Sequence, residues 1–193
     1  MQDEQEATMP VSKWSSPVVL NQLMSLTKLP AEMQRAAAAA VAAHKSSYSP
    51  YSNFSVGAAL LHDDGSVTTG CNYENCTLQS CCAERCAIVR ANVEGRRRAT
   101  AVAVYGRSYG GAALSHPPPA ETFCTPCGLC RQLLVEVADL SQNFEEFMVV
   151  LVTFDAKRAK VVRLADLMPS KFGPADIGMD VAKLSYNPSV QPL

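Results

Sequence analysis

The stretch SCCAERCAIVRA, residues 80–91, crowds metal-binding and acid–base residue types together: Cys81 and Cys82 are adjacent, and Glu84, Arg85 and Cys86 follow. A second group, TPCGLC, sets Cys127 and Cys130 three residues apart. Both groups open helices by sequence. CAERCAIVRANVEG carries apolar residues at helical spacing and ends in glycine, and PCGLCRQLLVEVADL has Pro126 at or near its start. Residues i and i+3 share a helical face, so the Cys127 and Cys130 thiols can point at one ion. Helix N-termini carry positive partial charge and favour the thiolate, the form that binds metal. Two helix starts facing each other would supply three sulfurs, from Cys82, Cys127 and Cys130, and leave a fourth tetrahedral position open. Three protein ligands and one exchangeable position are the pattern of catalytic zinc, whereas structural zinc is usually closed by four.

Glu84 sits two residues after Cys82, in the same first helical turn. It can reach a water at the metal as a general base without being a ligand. Three thiolates around zinc leave a net charge of −1, which weakens the Lewis acid. The Arg85 guanidinium beside the sulfurs, together with the two helix dipoles, offsets that excess.

Composition narrows the setting of this chemistry. The chain has 193 residues, enough for one domain with a real core, and 48% are hydrophobic. Its formal net charge of −1 gives no general pull toward nucleic acid or an anionic membrane. The longest like-charge run, Arg96–Arg98, reads as a solvated helix end. The start, MQDEQEATMPVSKWSS, is acidic and polar and lacks a basic segment followed by an apolar one. No apolar run approaches the ~20 residues of a membrane span. A reduced, cytoplasmic setting is expected, where clustered cysteines bind metal or do chemistry more often than they cross-link.

The elements that must hold these residues follow from periodicity and punctuation. Residues 1–16 are expected to be a flexible N-terminal extension, 17–178 a single domain and 179–193 a C-terminal tail. Residues 18–27 suggest a short helix. Residues 30–44, PAEMQRAAAAAVAAH, predict a helix whose alanines pack closely on neighbours. Residues 55–62 and 66–75 read as strands joined by a DDG turn. Residues 99–106 read as a buried strand and 107–123 as an irregular Gly- and Pro-rich insertion. Two strands follow the last long helix, then a short helix and MPSKFGPADI. This order predicts an α/β fold: a three-layer α/β/α sandwich around a mixed sheet of about five strands.

In this order SPYSNFSVGAALL, GCNYEN, CAER, PCGLCRQ and FGPADI span most of the chain, and in them it resembles the small homotetrameric cytidine deaminases. The resemblance implies hydrolysis of cytidine and deoxycytidine to uridine and deoxyuridine with loss of ammonia, as in pyrimidine salvage. Zinc on Cys82, Cys127 and Cys130 would activate water for attack at C4, with Glu84 as proton shuttle. It further implies that Asn72 and Glu74 hold the ribose hydroxyl and that Phe54 packs on the pyrimidine. The Ala83 N–H would meet the base O2, and the Thr125 carbonyl would face the leaving amino group. Phe172 would reach a neighbouring subunit's site in a tetramer. The expected partners are thus a nucleoside and further copies of the chain, with no nucleic acid and no membrane. The other cysteines, Cys71, Cys76, Cys81, Cys86 and Cys124, are expected to be small buried hydrophobes.

Other readings of the same residues are weaker. Cys124, Cys127 and Cys130 form an iron–sulfur-like C-x2-C-x2-C, but Arg131 and Gln132 follow where a further Cys and Pro are needed. A blasticidin-type deaminase shares the zinc motif but not NYEN with CAER. A polynucleotide deaminase needs a basic groove that the neutral charge does not supply. An inactive zinc-binding subunit would have no use for Glu84. Against the family pattern, the segment between NYEN and CAER is slightly short, 106–123 is long, and both ends are extended.

Overall fold

The structure is a computed structural model that describes residues 14–109 and 119–185. The chain runs β1 (Leu23–Ser25), α1 (Ala31–Ala43), β2 (Phe54–Leu61), β3 (Val67–Cys71), α2 (Ala83–Val93), β4 (Ala101–Ser108), α3 (Gly128–Leu140), β5 (Met148–Val152), β6 (Arg158–Arg163), α4 (Leu164–Leu167) and α5 (Val181–Ser185). The strands form one sheet in the order β1-β6-β5-β4-β2-β3. Only β4 and β5 run parallel, and their connection contains α3, as a parallel crossover requires. The other neighbours are antiparallel.

Period-2 alternation divides the strands between two cores. Ala59 and Leu61 of β2, Ala103 and Tyr105 of β4, and Val150 and Val152 of β5 face α1. Ala58 and Leu60, Val102 and Val104, and Val149 and Leu151 face α2 and α3. Helices therefore cover both faces, and the expected three-layer sandwich is what forms. The alanine helix packs as its composition predicted. Met33, Ala36, Ala37 and Ala40 form its buried face. A Cβ on Gly57 of β2 would lie 2.1 Å from the Ala40 carbonyl oxygen, so helix and strand backbones nearly touch.

The sheet has six strands where about five were expected, and the added one is β1. Residues 18–27 do not form the short helix their sequence suggests: Asn21 has φ 62°, which breaks a right-handed helix. Its amide instead donates to the Val161 carbonyl at 2.8 Å, and Leu23–Ser25 pair with β6. Packed residues are found beyond 17–178 at both ends. Trp14, inside the stretch assigned to the N-terminal extension, is buried in the α1 core. Helix α5, inside the stretch assigned to the tail, folds back so that the Leu184 carbonyl accepts from Arg97 Nη1 at 3.1 Å. Residues 1–13, the middle of the 106–123 insertion (110–118) and 186–193 lie outside the described residues.

Candidate active site

Cys82 caps the N-terminus of α2, and Cys127 caps that of α3. Neither thiol is spent on a capping hydrogen bond. The fold turns both helix starts toward one point, where the sulfurs of Cys82, Cys127 and Cys130 all lie within 4.8 Å of one another. Cys82 Sγ and Cys127 Sγ are 3.7 Å apart. Two thiolates held ~2.3 Å from a common ion at a tetrahedral angle sit about 3.8 Å apart, so the set fits zinc. Burial pushes both the Cys82 and the Cys130 thiols up, aided by the Cys127 thiol at Cys82 and by the Glu84 carboxylate, then the Cys127 thiol, at Cys130. Burial also acts against Cys127, but the Cys130 amide and the flanking thiols outweigh it and bring Cys127 below the ordinary thiol value. Both Cys82 and Cys127 cap helix starts, so what separates them is the Cys130 amide, which reaches Cys127 alone.

Glu84 lies in the first turn of α2 and is only 4% exposed. Burial raises its carboxyl above the ordinary range, while its own amide, the Cys130 thiol and Arg85 act in the opposite sense. A carboxyl poised upward in this way suits proton transfer near neutrality. Arg85 turns to the sulfurs: Nη2 donates to the Ser80 carbonyl at 2.7 Å and lies 4.0 Å from Cys82 Sγ.

Two of the three, Cys82 and Cys127, line a cleft of about 180 Å³, while Cys130 is wholly buried. Glu84, Ala83, Thr125, Phe54, Asn72 and Glu74 line it with the two cysteines. Larger clefts lie elsewhere, one of about 380 Å³ between α2 and α3 and one of about 490 Å³ beside α5, but neither includes the sulfurs. Phe54 sits at the start of β2 after the turn at Asn53, whose φ is 53°. Gly106 of β4 leaves room for its ring: a Cβ there would meet Phe54 Cε1 at 2.9 Å and Cys124 Sγ at 2.7 Å. Asn72 Oδ1 accepts from Val56 N–H at 2.7 Å and from the Ser47 hydroxyl at 2.5 Å, and Nδ2 donates to the Phe54 carbonyl at 2.9 Å. Glu74 Oε2 accepts from Tyr51 N–H at 2.9 Å and Ser52 N–H at 3.1 Å, and Oε1 accepts from the Ser52 hydroxyl. Burial opposes the Glu74 charge, yet these three donors prevail and hold its carboxyl below the ordinary value.

A family model described as the cytidine and deoxycytidylate deaminase zinc-binding region matches residues 30–144. The chain belongs to this family. Cytidine deaminases in the same family include one from Sporosarcina psychrophila, 34% identical over 80% of this chain and 96% of the relative. Another, from Mycobacterium tuberculosis, is 35% identical over 67% of this chain and 81% of the relative. The crystal structure of a cytidine deaminase from Burkholderia pseudomallei superposes with TM-score 0.58 at 36% identity, covering 72% of this chain and 97% of that one.

Within this deaminase, most sequence-nominated residues converge on the cleft. Cys130, wholly buried, and Arg85 and Phe172 are not part of its lining. Phe172 is 60% exposed, with its carbonyl accepting from Gln132 Nε2 at 2.7 Å. The five further cysteines are less buried than expected: Cys76 is exposed, and Cys71, Cys81, Cys86 and Cys124 are half-buried. Cys124 moreover lines the cleft, where burial pushes its thiol up to about 12. The sequence reading also missed Ser47, Ser52 and Arg131. Arg131 Nε donates to the Pro126 carbonyl at 2.9 Å and so steadies the turn that carries Thr125. Its place inside PCGLCRQ was the available signal. Two serines in a turn-rich stretch offered none.

Proposed function

We propose that this protein hydrolytically deaminates cytidine and deoxycytidine to uridine and deoxyuridine, releasing ammonia. The observation that carries the reading is the gathering of three cysteine sulfurs within 4.8 Å of one another at a cleft that buried Glu84, Asn72, Glu74 and Phe54 line. A zinc ion held by Cys82, Cys127 and Cys130 supplies Lewis acidity that makes water reactive near neutral pH. The protein's own groups do the rest. Glu84 accepts a proton from the attacking water and delivers it to N3 of the base. It then takes the proton of the new C4 hydroxyl and passes it to the amino group, so that the C4–N bond breaks, ammonia leaves and the C4 carbonyl of the uracil remains. The Ala83 amide begins α2, so it has no partner within the helix and is available to the base O2. The Thr125 carbonyl accepts from the amino group. Phe54 packs against the pyrimidine, Asn72 and Glu74 hold a sugar hydroxyl, and Arg85 balances the charge of the sulfurs.

The active unit is a homo-oligomer, specifically a tetramer, with Phe172 closing a neighbour's site. Two features support this. Phe172 is exposed and away from its own cleft. Val89 and Val93 on α2 and Leu129 and Leu133 on α3 are exposed pairs one helical turn apart, as a covered face requires. Pyrimidine salvage in the cytoplasm suits a nucleoside substrate and eight cysteines with no disulfide among them. No helix among the described residues is long and apolar enough to cross a membrane. The test is ammonia release by the purified zinc-loaded protein with cytidine, deoxycytidine, blasticidin or a short oligonucleotide. Turnover confined to the two nucleosides is expected. Turnover of only blasticidin or the oligonucleotide, or of none, would overturn the assignment.

A further inference from the structure

The two polar groups on the sugar side of the cleft have their hydrogen-bonding sense fixed by serines. Asn72 can present either end of its amide in principle. Here Val56 N–H and the Ser47 hydroxyl both reach Oδ1, while the Phe54 carbonyl takes a proton from Nδ2. These three partners agree, so Oδ1 is occupied and the second Nδ2 proton is the group left to offer. Ser47 has one hydroxyl proton, and Oδ1 can only accept, so that proton is committed to Asn72. Ser47 Oγ in turn lies 3.2 Å from Ser49 Oγ, which is 2.9 Å from the buried Ser55 Oγ. A chain of hydroxyls rooted in β2 thus ends on the amide.

Glu74 is fixed in the opposite sense. Phe54 N–H donates to Ser52 Oγ at 3.1 Å, an amide that can only donate, so the Ser52 proton goes to Glu74 Oε1. Two backbone amides occupy Oε2. The carboxylate therefore keeps accepting capacity and offers no proton. Asn72 as donor and Glu74 as acceptor, two residues apart in the chain, match a group that accepts and donates through the same atom: an alcohol.

We infer that Ser52 and Ser47 are positioning residues that set Glu74 as acceptor and Asn72 as donor, and thereby make the cleft select ligands bearing a sugar hydroxyl. The inference rests on the nucleoside reading above and names residues that act through Asn72 and Glu74 without touching substrate. A site built to bond a hydroxyl rejects an analogue lacking it, because both of its groups are then left unpaired.

The experiment compares cytidine with 2′,3′-dideoxycytidine on the zinc-loaded full chain, for the unmodified protein, Ser52→Ala, Ser52→Thr and Ser47→Ala. Ser52→Ala should raise the cytidine KM about tenfold, the loss expected when a hydrogen bond to a charged group is removed. Its kcat should stay within about twofold, and its dideoxycytidine KM should not move. Ser52→Thr, which keeps the hydroxyl, should restore the cytidine KM. Ser47→Ala should show the same pattern, about three- to fivefold. An unchanged cytidine KM in Ser52→Ala, or an equal loss for both nucleosides, would overturn the inference, since the second outcome means only a loosened turn. Titration calorimetry of both nucleosides reads the same contrast without turnover. Absent turnover in the unmodified protein would thus count against the deaminase reading, while the serine pattern is judged on binding.

Discussion

Removing one sulfur from the trio and one from outside it separates ligand from bystander. Cys127→Ala should lose most of its zinc, measured by metal analysis after dialysis, because two thiolates hold the ion far less well than three. Cys86→Ala and Cys71→Ala should keep one zinc per chain. Full zinc retention with activity in Cys127→Ala would refute the ligand set. At this scale the chemistry was legible in the sequence because its parts are local: Cys82 and Glu84 share one helical turn, and Cys127 and Cys130 share another. The groups that orient Asn72 and Glu74 were not legible. Ser47 is 25 residues from Asn72 and Ser52 is 22 from Glu74 in the chain. In SSYSPYSNF serines are ordinary turn formers, so nothing local marks the two that reach across.

The elements place the trio by letting backbones approach closely. Gly70 on β3 has no side chain where α2 crosses it: a Cβ there would lie 2.4 Å from Ala87 N and 2.5 Å from the Ala83 carbonyl oxygen. Those are backbone atoms, so Gly70→Ala must push α2 outward and carry Cys82 and Glu84 with it. Overpacking of this kind costs roughly 1–3 kcal/mol. Calorimetry should show a Tm about 3–10 °C lower, and the zinc-loaded variant should lose turnover more than an equally destabilised core variant does. Gly128 is the control for stability. A Cβ there meets nothing within 4 Å, so Gly128→Ala should leave Tm unchanged or slightly raised. An undisturbed Tm in Gly70→Ala would show that α2 is not seated as described. The long elements were readable from their periods. Strand β1 was not, because three residues on a sheet edge give too short an alternation, and the 18–27 stretch has apolar residues compatible with either state.

For the whole molecule, the separation of Phe172 from its own cleft becomes a test of assembly. Chains carrying Glu84→Gln and chains carrying Phe172→Ala are each crippled, the second by about tenfold or more if a base-stacking contact of ~1–3 kcal/mol is lost. Co-assembled at random, with one donor per site, roughly a quarter of sites combine an intact Glu84 with a neighbour's intact Phe172. Activity above the average of the two pure variants is expected. No gain would place Phe172 in its own subunit's chemistry or outside the site altogether. Family membership was legible across the chain because five motifs fall in order on the predicted elements. The assembly was visible only through one motif, FGPADI, since a subunit contact leaves no periodic mark within a single chain.

We propose that Glu84 moves protons at a three-cysteine zinc site and is not itself a ligand. Steady-state cytidine deamination by Glu84→Gln, with zinc content determined on the same sample, tests it most directly. The expected result is one zinc per chain, an unchanged Tm and a fall in kcat beyond the 10²–10⁴-fold typical of a single acid–base group, because the carboxyl serves more than one transfer. Near-normal turnover with zinc in place would show that Glu84 does not carry the protons.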